Sequence, residues 1–147
     1  GKMELVFVPE NELCAACKLV RELAKADAKQ TRAAAKPLQG TIIRNTHFHH
    51  DVNITGTSIR EWTNQPHKHF KAKNQMLLDI NNVFSNAAYL GTTDNHKGIK
   101  RVVQSHIFEV EVSGEKNLLI VREYDWGEYV LHSISDSPEL YNKIKKE

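Results

Sequence analysis

Long hydrophobic runs are missing from this chain. Nothing approaches the roughly 18–20 consecutive apolar residues that span a bilayer, and no signal-peptide pattern opens it. Cysteine is scarce as well: Cys14 and Cys17 are the two in 147 residues. Two are too few for a disulfide framework, which points to a reducing compartment, the cytoplasm. Internal repeats are absent, and the Ala/Lys-rich stretch near the start is the one biased tract. Charge of either sign is not in large excess, since 20 Lys/Arg against 18 Asp/Glu leave +2. With 40% apolar and 26% charged residues, the composition is that of a globular domain and excludes a disordered chain. The length fits one compact domain.

The charge is unevenly spread. Residues 1–104 hold 15 Lys/Arg against 9 Asp/Glu, a local +6, whereas residues 105–147 hold 5 against 9, a local −4. A basic N-terminal portion suits a polyanionic partner, although a solvated helix face gives the same count. Gly1-Lys2 ahead of Met3 reads as a scar, with further natural sequence expected upstream.

Residues 3–8 read as a short strand ended by Pro9. From Asn11 to Lys36 strong helix formers dominate, with Leu13, Cys17, Val20 and Ala24 on one stripe and Lys/Glu/Arg on another. Pro37 and Gly40 stop that helix, which reads as an arm or linker over residues 1–40, with the domain proper at 41–147. Thr41 to Ile54 reads as extended. Ser58-Ile-Arg-Glu61 is a capping-box pattern opening a short helix anchored by Trp62. A second long helix is expected over His67–Ala87, with Met76, Ile80, Val83 and Ala87 on a core-facing side that Phe70, Leu77 and Phe84 widen. A strand at 88–90 and a loop at 91–98 follow. Three alternating runs, at 101–112, 117–124 and 128–135, are joined by Ser113-Gly114 and Asp125-Trp126-Gly127. Ser137-Pro138 opens a terminal helix, Glu139 to Lys146. The fold class is therefore α+β: N-terminal helices packed on a four-stranded antiparallel meander, with a short C-terminal helix.

Three constellations carry chemistry. Cys14-Ala-Ala-Cys17 is a C-x-x-C, but no βαβ unit surrounds it and no second ligand pair makes a zinc site, so two small residues on a helix face explain it. Thr46-His-Phe-His-His-Asp51 matches the T-H-x-H-x-D core of metallo-β-lactamase-like hydrolases. His47, His49 and Asp51 would share one face of a strand. Val52 stands where that family has a further His, and the length is too short, so no metal site is expected.

The third constellation is more diffuse. His67, Lys68, His69, Lys71 and Lys73 cluster at the front of the second helix, and His96, Lys97, Lys100 and Arg101 follow in a loop. His106, Arg122 and His132 then fall one in each meander strand. His106 is in line with Phe108 and Val110, Arg122 with Leu118 and Ile120, and His132 with Val130 and Ile134. If the strands pair in sequence, imidazole, guanidinium and imidazole neighbour one another across one sheet. Such a trio suits RNA cleavage without a metal: one imidazole takes the 2′-hydroxyl proton, another protonates the departing 5′-oxygen, and the cation stabilises the phosphorane. Ser133 and Ser135, beside His132, are candidates to hydrogen-bond a phosphate, the alternative being that they simply face solvent. His69, Lys68, Lys71 and Lys73 would hold the RNA backbone, and Tyr124 and Tyr129 are candidates for base stacking.

From Thr41 to Asp136 the layout resembles the phage-associated branch of the barnase–EndoU–colicin–RelE-like nuclease superfamily. The resemblance lies in Asn53-Ile-Thr-Gly-Thr-Ser-Ile-Arg-Glu61, Pro66-His-Lys-His69, the amphipathic helix Asn74 to Ala87, the strands His106–Val112 and Leu118–Arg122, and the closing Tyr129-Val-Leu-His-Ser-Ile-Ser135. It implies metal-independent endoribonuclease activity without a cofactor, carried by His106, Arg122, His132 and Ser133. Glu109 and Glu111 lie opposite His106, so a two-histidine mechanism is expected rather than a Glu/His one. The resemblance also implies a toxin or effector role in the bacterial host cytoplasm or on the virion. Its partners would be RNA (tRNA among the candidates), an immunity protein and an upstream phage head-protein domain. The rival functions are a non-catalytic head-morphogenesis module and a metal-dependent hydrolase built on His47, His49 and Asp51.

Overall fold

Ala, Leu, Lys and Glu fill residues 10–35, and with no proline or glycine among them nothing stops a helix. The computed structural model describes residues 10–95 and 98–145, the side chains of 10–14 excepted. There the segment forms α1, Glu10–Ala35. The expected strand at 3–8, the Cys14 side chain, and His96 and Lys97 lie outside the described residues.

The two halves of α1 have different surroundings. Ala28, Thr31 and Ala35 are buried, whereas Leu19, Val20 and Leu23 are 62%, 57% and 53% exposed. Polar contacts fasten the second half: Asn74 Nδ2 donates to Asp27 Oδ2 at 2.7 Å, and Arg32 donates to Thr63 Oγ1 and Asn64 Oδ1. From Asp27 onward the 1–40 segment is thus packed into the body of the fold. A 3₁₀ turn at Lys36–Leu38, built on Pro37, ends it.

The extended stretch expected at 41–54 is two dipeptide strands, β1 (Ile42–Ile43) and β2 (Val52–Asn53), paired antiparallel around a loop at 44–51. Asn45 holds that loop, its Nδ2 donating to the carbonyls of Phe84 and Ala87 at 2.6 and 2.9 Å. Next comes α2, Gly56–Asn64. Its capping box lies one turn earlier than Ser58–Glu61. Thr55 is the cap, its hydroxyl accepting from Ser58 N while Ser58 Oγ accepts from Thr55 N. Trp62 is fully buried and donates from Nε1 to Lys73 O at 2.8 Å.

The single helix expected over 67–87 is two helices, α3 (Phe70–Leu78) and α4 (Ile80–Asn86), broken at Asp79. Aspartate favours helix starts over interiors, and here its Oδ1 accepts from Asn82 Nδ2 in the first turn of α4. The break still leaves Leu77, Ile80 and Phe84 in one core.

Four longer strands follow: β3 (Ala88–Asp94), β4 (Val102–Val112), β5 (Glu115–Tyr124) and β6 (Tyr129–Ser135). β3 runs four residues past the expected strand because Gly91 to Asp94 pair with β4, and that pairing overrides a loop-like composition. The four-stranded antiparallel sheet is corrected to a six-stranded mixed one, in the order β1-β2-β6-β5-β4-β3, with β2 parallel to β6. Two-residue strands carry no alternation, so β1 and β2 left no pattern to read. The last helix is one turn, α5 (Pro138–Tyr141), shorter than expected, and Lys145 then bridges to Thr92.

The helices cover one face of the sheet. Phe108, Val110 and Val112 of β4, Leu119 and Val121 of β5, and Leu131 and Ile134 of β6 bury there against Ile59, Trp62, Leu77 and Phe84. Among the described residues no helix is long and apolar enough to cross a membrane.

Candidate functional site

The β4–β5 hairpin decides which polar side chains can meet. Ser113 and Gly114 both have positive φ, 51° and 78°, the conformation of a two-residue hairpin turn. That turn pairs Val112 with Glu115, and the register then runs His106 with Val121, Ser105 with Arg122 and Gln104 with Glu123. His106 therefore lies on the helix-covered face with Val121, while Arg122 lies on the opposite face with Ile107 and Ile120. The expected imidazole–guanidinium–imidazole row is corrected accordingly: His106 and Arg122 are on opposite sides of the sheet.

On the covered face His106 is buried and both of its ring nitrogens are engaged. Nδ1 is 2.9 Å from the Tyr89 hydroxyl and Nε2 is 2.8 Å from Glu123 Oε1, which also accepts from Gln104 Nε2 at 2.9 Å. With a carboxylate on Nε2, that nitrogen carries a proton. Burial pushes the Glu123 carboxyl up, but the Gln104 and His106 hydrogen bonds and the charges of His106 and His50 outweigh it and hold it below its ordinary value. Around this pair sit Phe48, 4.8 Å from the His106 ring, and Tyr129, on which His50 stacks at 4.2 Å. Sequence reasoning missed Glu123, the carboxylate that does share a face with His106. Counting back from the Ser113-Gly114 turn would have found it.

The opposite face is open. A cleft of about 430 Å³ lies there, floored by Ile107 and Ile120 and lined by Arg122, His132, Ser133, Ser105, Ser135 and Thr93. Glu139, Leu140 and Lys143, in and just after α5, form one wall. A second cleft of about 270 Å³ adjoins it, lined by Tyr124, Trp126, Val130 and Thr57, and by Arg122 and His132 again.

His132 reaches this side by an irregularity. Ile120 pairs with Ser133 and Val121 with Leu131, so His132 is the extra residue of a β-bulge. The bulge breaks the alternation that would have kept His132 in line with both Val130 and Ile134. It lets Leu131 and Ile134, three apart, both face the core, while His132 joins Arg122 at both clefts. Ser133, nearly buried, lines the larger cleft. Arg122 makes no hydrogen bond or ion pair with the described residues. The carboxylates of the larger cleft differ in this respect: Asp94 pairs with Lys145 Nζ at 2.8 Å, while Glu139 has no such partner among the described residues.

Of the eight expected site residues, the structure brings together Arg122, His132 and Ser133. Lys68, His69, Lys71 and Lys73 line none of the clefts described. Lys68 pairs with Glu115 at 3.0 Å, and His69 Nε2 lies 3.6 Å from the same carboxylate. Lys73 is corrected from a surface cation to a fully buried one. Its Nζ donates to Gln65 O at 2.6 Å and Thr63 O at 3.4 Å, closing the end of α2. Burial lowers its pKa to about 8 against the opposing pull of Asp27.

Residues 44–51 form a loop, so the shared strand face expected for His47, His49 and Asp51 does not exist. His47 and His49 are exposed, and Asp51 pairs with Arg44 at 2.8 Å. Among the described residues no three His, Cys, Asp or Glu side chains gather to hold a metal ion. Cys17 is free and exposed.

A family model described as large polyvalent protein-associated domain 3 matches residues 22–141, from the exposed half of α1 to the end of α5. No curated protein and no solved structure matches the chain.

Proposed function

The chain belongs to the large polyvalent protein-associated domain 3 family, a phage-associated family, and from that premise we propose that it is a metal-independent endoribonuclease domain working in the larger open cleft. One observation carries this reading: Arg122, a guanidinium without a carboxylate partner among the described residues, shares a cleft with His132, Ser133 and Glu139. A half-buried cation left unpaired on a protein surface favours an anionic ligand.

The chemistry needs one group to remove a proton and another to supply one. His106 is committed to Glu123 on the far face, so the second group comes from the carboxylates of the cleft, and Glu139 is the one without an ion pair to any described residue. Glu139 takes the proton of the 2′-hydroxyl, the 2′-oxygen attacks phosphorus, and the bond to the 5′-oxygen breaks as protonated His132 gives that oxygen its proton. The products are a 2′,3′-cyclic phosphate and a free 5′-hydroxyl. Arg122 faces the two negative oxygens of the phosphorane, and the Ser133 hydroxyl donates to one of them.

The test is cleavage of RNA by the purified domain in excess EDTA. Activity that persists in EDTA and disappears in His132→Ala and Arg122→Ala, with folding intact, is the expected result. Cleavage that survives His132→Ala, or that EDTA abolishes, overturns it.

A second reading is favoured by His106 itself, which is buried and doubly bonded as a structural histidine would be. In that reading the domain is a non-catalytic module of a phage head protein. A folded domain that cleaves no RNA is the outcome it expects.

A further inference from the structure

Arg122 and His132 line both open clefts, and they are the residues those two clefts share. The two cavities therefore diverge from one cationic waist. An anion held at that waist has one pocket on either side of it, and the pockets differ in chemistry. The larger has an apolar floor, Ile107 and Ile120, under hydrogen-bonding groups such as Ser105 and Gln65. The smaller is bordered by Tyr124 and Trp126, whose rings stack at 4.6 Å and 28°. Trp126 is 54% exposed, unusual for so large an apolar side chain. The Arg101 guanidinium lies over its ring at 5.3 Å, adding a cation beside the aromatic pair.

We propose that the two clefts hold the two nucleotides flanking a single phosphodiester, whose phosphate sits between Arg122 and His132, so that the ligand is single-stranded RNA at an unpaired step. The inference rests on the ribonuclease reading for the identity of the chain bound, but not for its geometry. Adjacent bases in a duplex are stacked on each other and paired across the helix, and cannot enter separate cavities. Unpaired nucleotides can be splayed apart. The smaller cleft is a stacking platform, tolerant of any base because every base has a π face. The larger offers donors and acceptors to a base edge, so base preference belongs to that side.

Trp126 also supplies the readout. The other tryptophan, Trp62, is fully buried in the core, so quenching of exposed tryptophan fluorescence reports the smaller cleft. The probe is a pool of random-sequence tetranucleotides with 2′-deoxyribose at the central step, which removes the attacking hydroxyl. It is compared with nucleoside 3′-monophosphates and with a blunt RNA duplex. The tetranucleotides are expected to quench Trp126 and to bind about tenfold or more tightly than the monophosphates, the worth of one stacked base. With affinities measured by isothermal titration calorimetry, which needs no fluorescent reporter, Trp126→Ala should erase that difference, and Arg122→Gln should weaken both ligands. If Arg122→Gln fails to fold, the Trp126→Ala comparison decides alone, since Trp126 lies in an exposed turn.

Equal quenching by duplex, or an affinity gap that survives Trp126→Ala, overturns the inference. Cleavage of RNA without the Trp126-dependent gap would leave the ribonuclease reading standing and remove this one. The gap without cleavage would do the reverse.

Discussion

Gly91 is the point at which the larger cleft can be opened without touching a residue inside it. The chain after α5 crosses β3 there. Thr92 N donates to Lys145 O at 3.0 Å and Lys145 N donates to Thr92 O at 2.7 Å. A Cβ at Gly91 would lie 2.3 Å from the Lys145 carbonyl oxygen and 3.1 Å from Ile144 Cγ2, and φ at Gly91 is +138°. The oxygen belongs to the backbone, so no rotamer relieves the clash in Gly91→Ala. If the strap lifts, both backbone hydrogen bonds are lost, at about 0.5–1.5 kcal/mol net each. The exposed Lys145–Asp94 pair adds at most about 1 kcal/mol. If β3 relaxes instead, an alanine held in that backbone region costs about 1–3 kcal/mol. Either route removes about 1–4 kcal/mol, but the two are distinguishable by amide hydrogen exchange. Lifting should raise exchange at Thr92 and Lys145 about tenfold or more while the amides of β5 keep their protection. It should also weaken ligand binding, because Leu140 and Lys143 form the cleft wall. Unchanged exchange at Thr92 and Lys145 in a folded Gly91→Ala protein would refute the argument that the strap depends on glycine.

Two titrations follow from the buried charges. The unfolded chain holds the Lys73 proton up to its ordinary value of 10.5, whereas the folded one releases it near 8. Stability at this site should therefore rise with pH between those values, by up to about 3 kcal/mol. The difference in denaturation midpoint between wild type and Lys73→Met should carry that slope, and a flat difference would contradict it. Glu123 behaves in the opposite sense. Its carboxyl titrates below the ordinary 4.5, so its contribution is complete above that pH and is lost as pH falls through the folded value. Glu123→Gln should lower thermal stability at neutral pH, with the gap to wild type closing in acid; a gap that is constant from neutral pH down to full protonation would count against the His106–Glu123 pairing.

Much of the fold was legible because local pattern and tertiary demand agreed there. Helix formers without proline gave α1, and alternation around Phe108 and Val110 put His106 on the core side of β4. In β5 the apolar run Leu118-Leu119-Ile120-Val121 fills both faces, since α5 and the strap half-cover the second one, so alternation could not say on which side Arg122 or Glu123 lies. The register could have, through the two-residue turn at Ser113-Gly114. The β-bulge at His132 left no such trace. It is specified by the demand that Leu131 and Ile134 both reach the core, a demand visible only once β5 lies beside them. Lys73 was unreadable for a similar reason. A lysine among His67, Lys68, His69 and Lys71 looks like part of a basic surface, and the carbonyls of Thr63 and Gln65 that it satisfies belong to the neighbouring helix end.

The two faces of the sheet are coupled through one pair of residues. Arg122 and Glu123 are consecutive on β5, so their side chains leave the strand in opposite directions. Glu123 is anchored on the covered side by Gln104 and His106, and His106 in turn by Tyr89 on β3. Three strands are thereby tied together at the level of the open cleft. Across β5 from Glu123 is Tyr129, and across from Arg122 is Val130, at the start of the strand that bulges at His132. A rotation of β5 about its axis would move Arg122 relative to His132, and the buried network resists that rotation. The histidine that the sequence offered as a catalyst thus serves the cleft from behind, by fixing the strand that carries its cation. Loosening the network should then degrade ligand affinity at the cleft even though no member of it touches the ligand. Arg122-dependent binding that is unaltered in a folded His106→Ala protein would show the two faces to be independent.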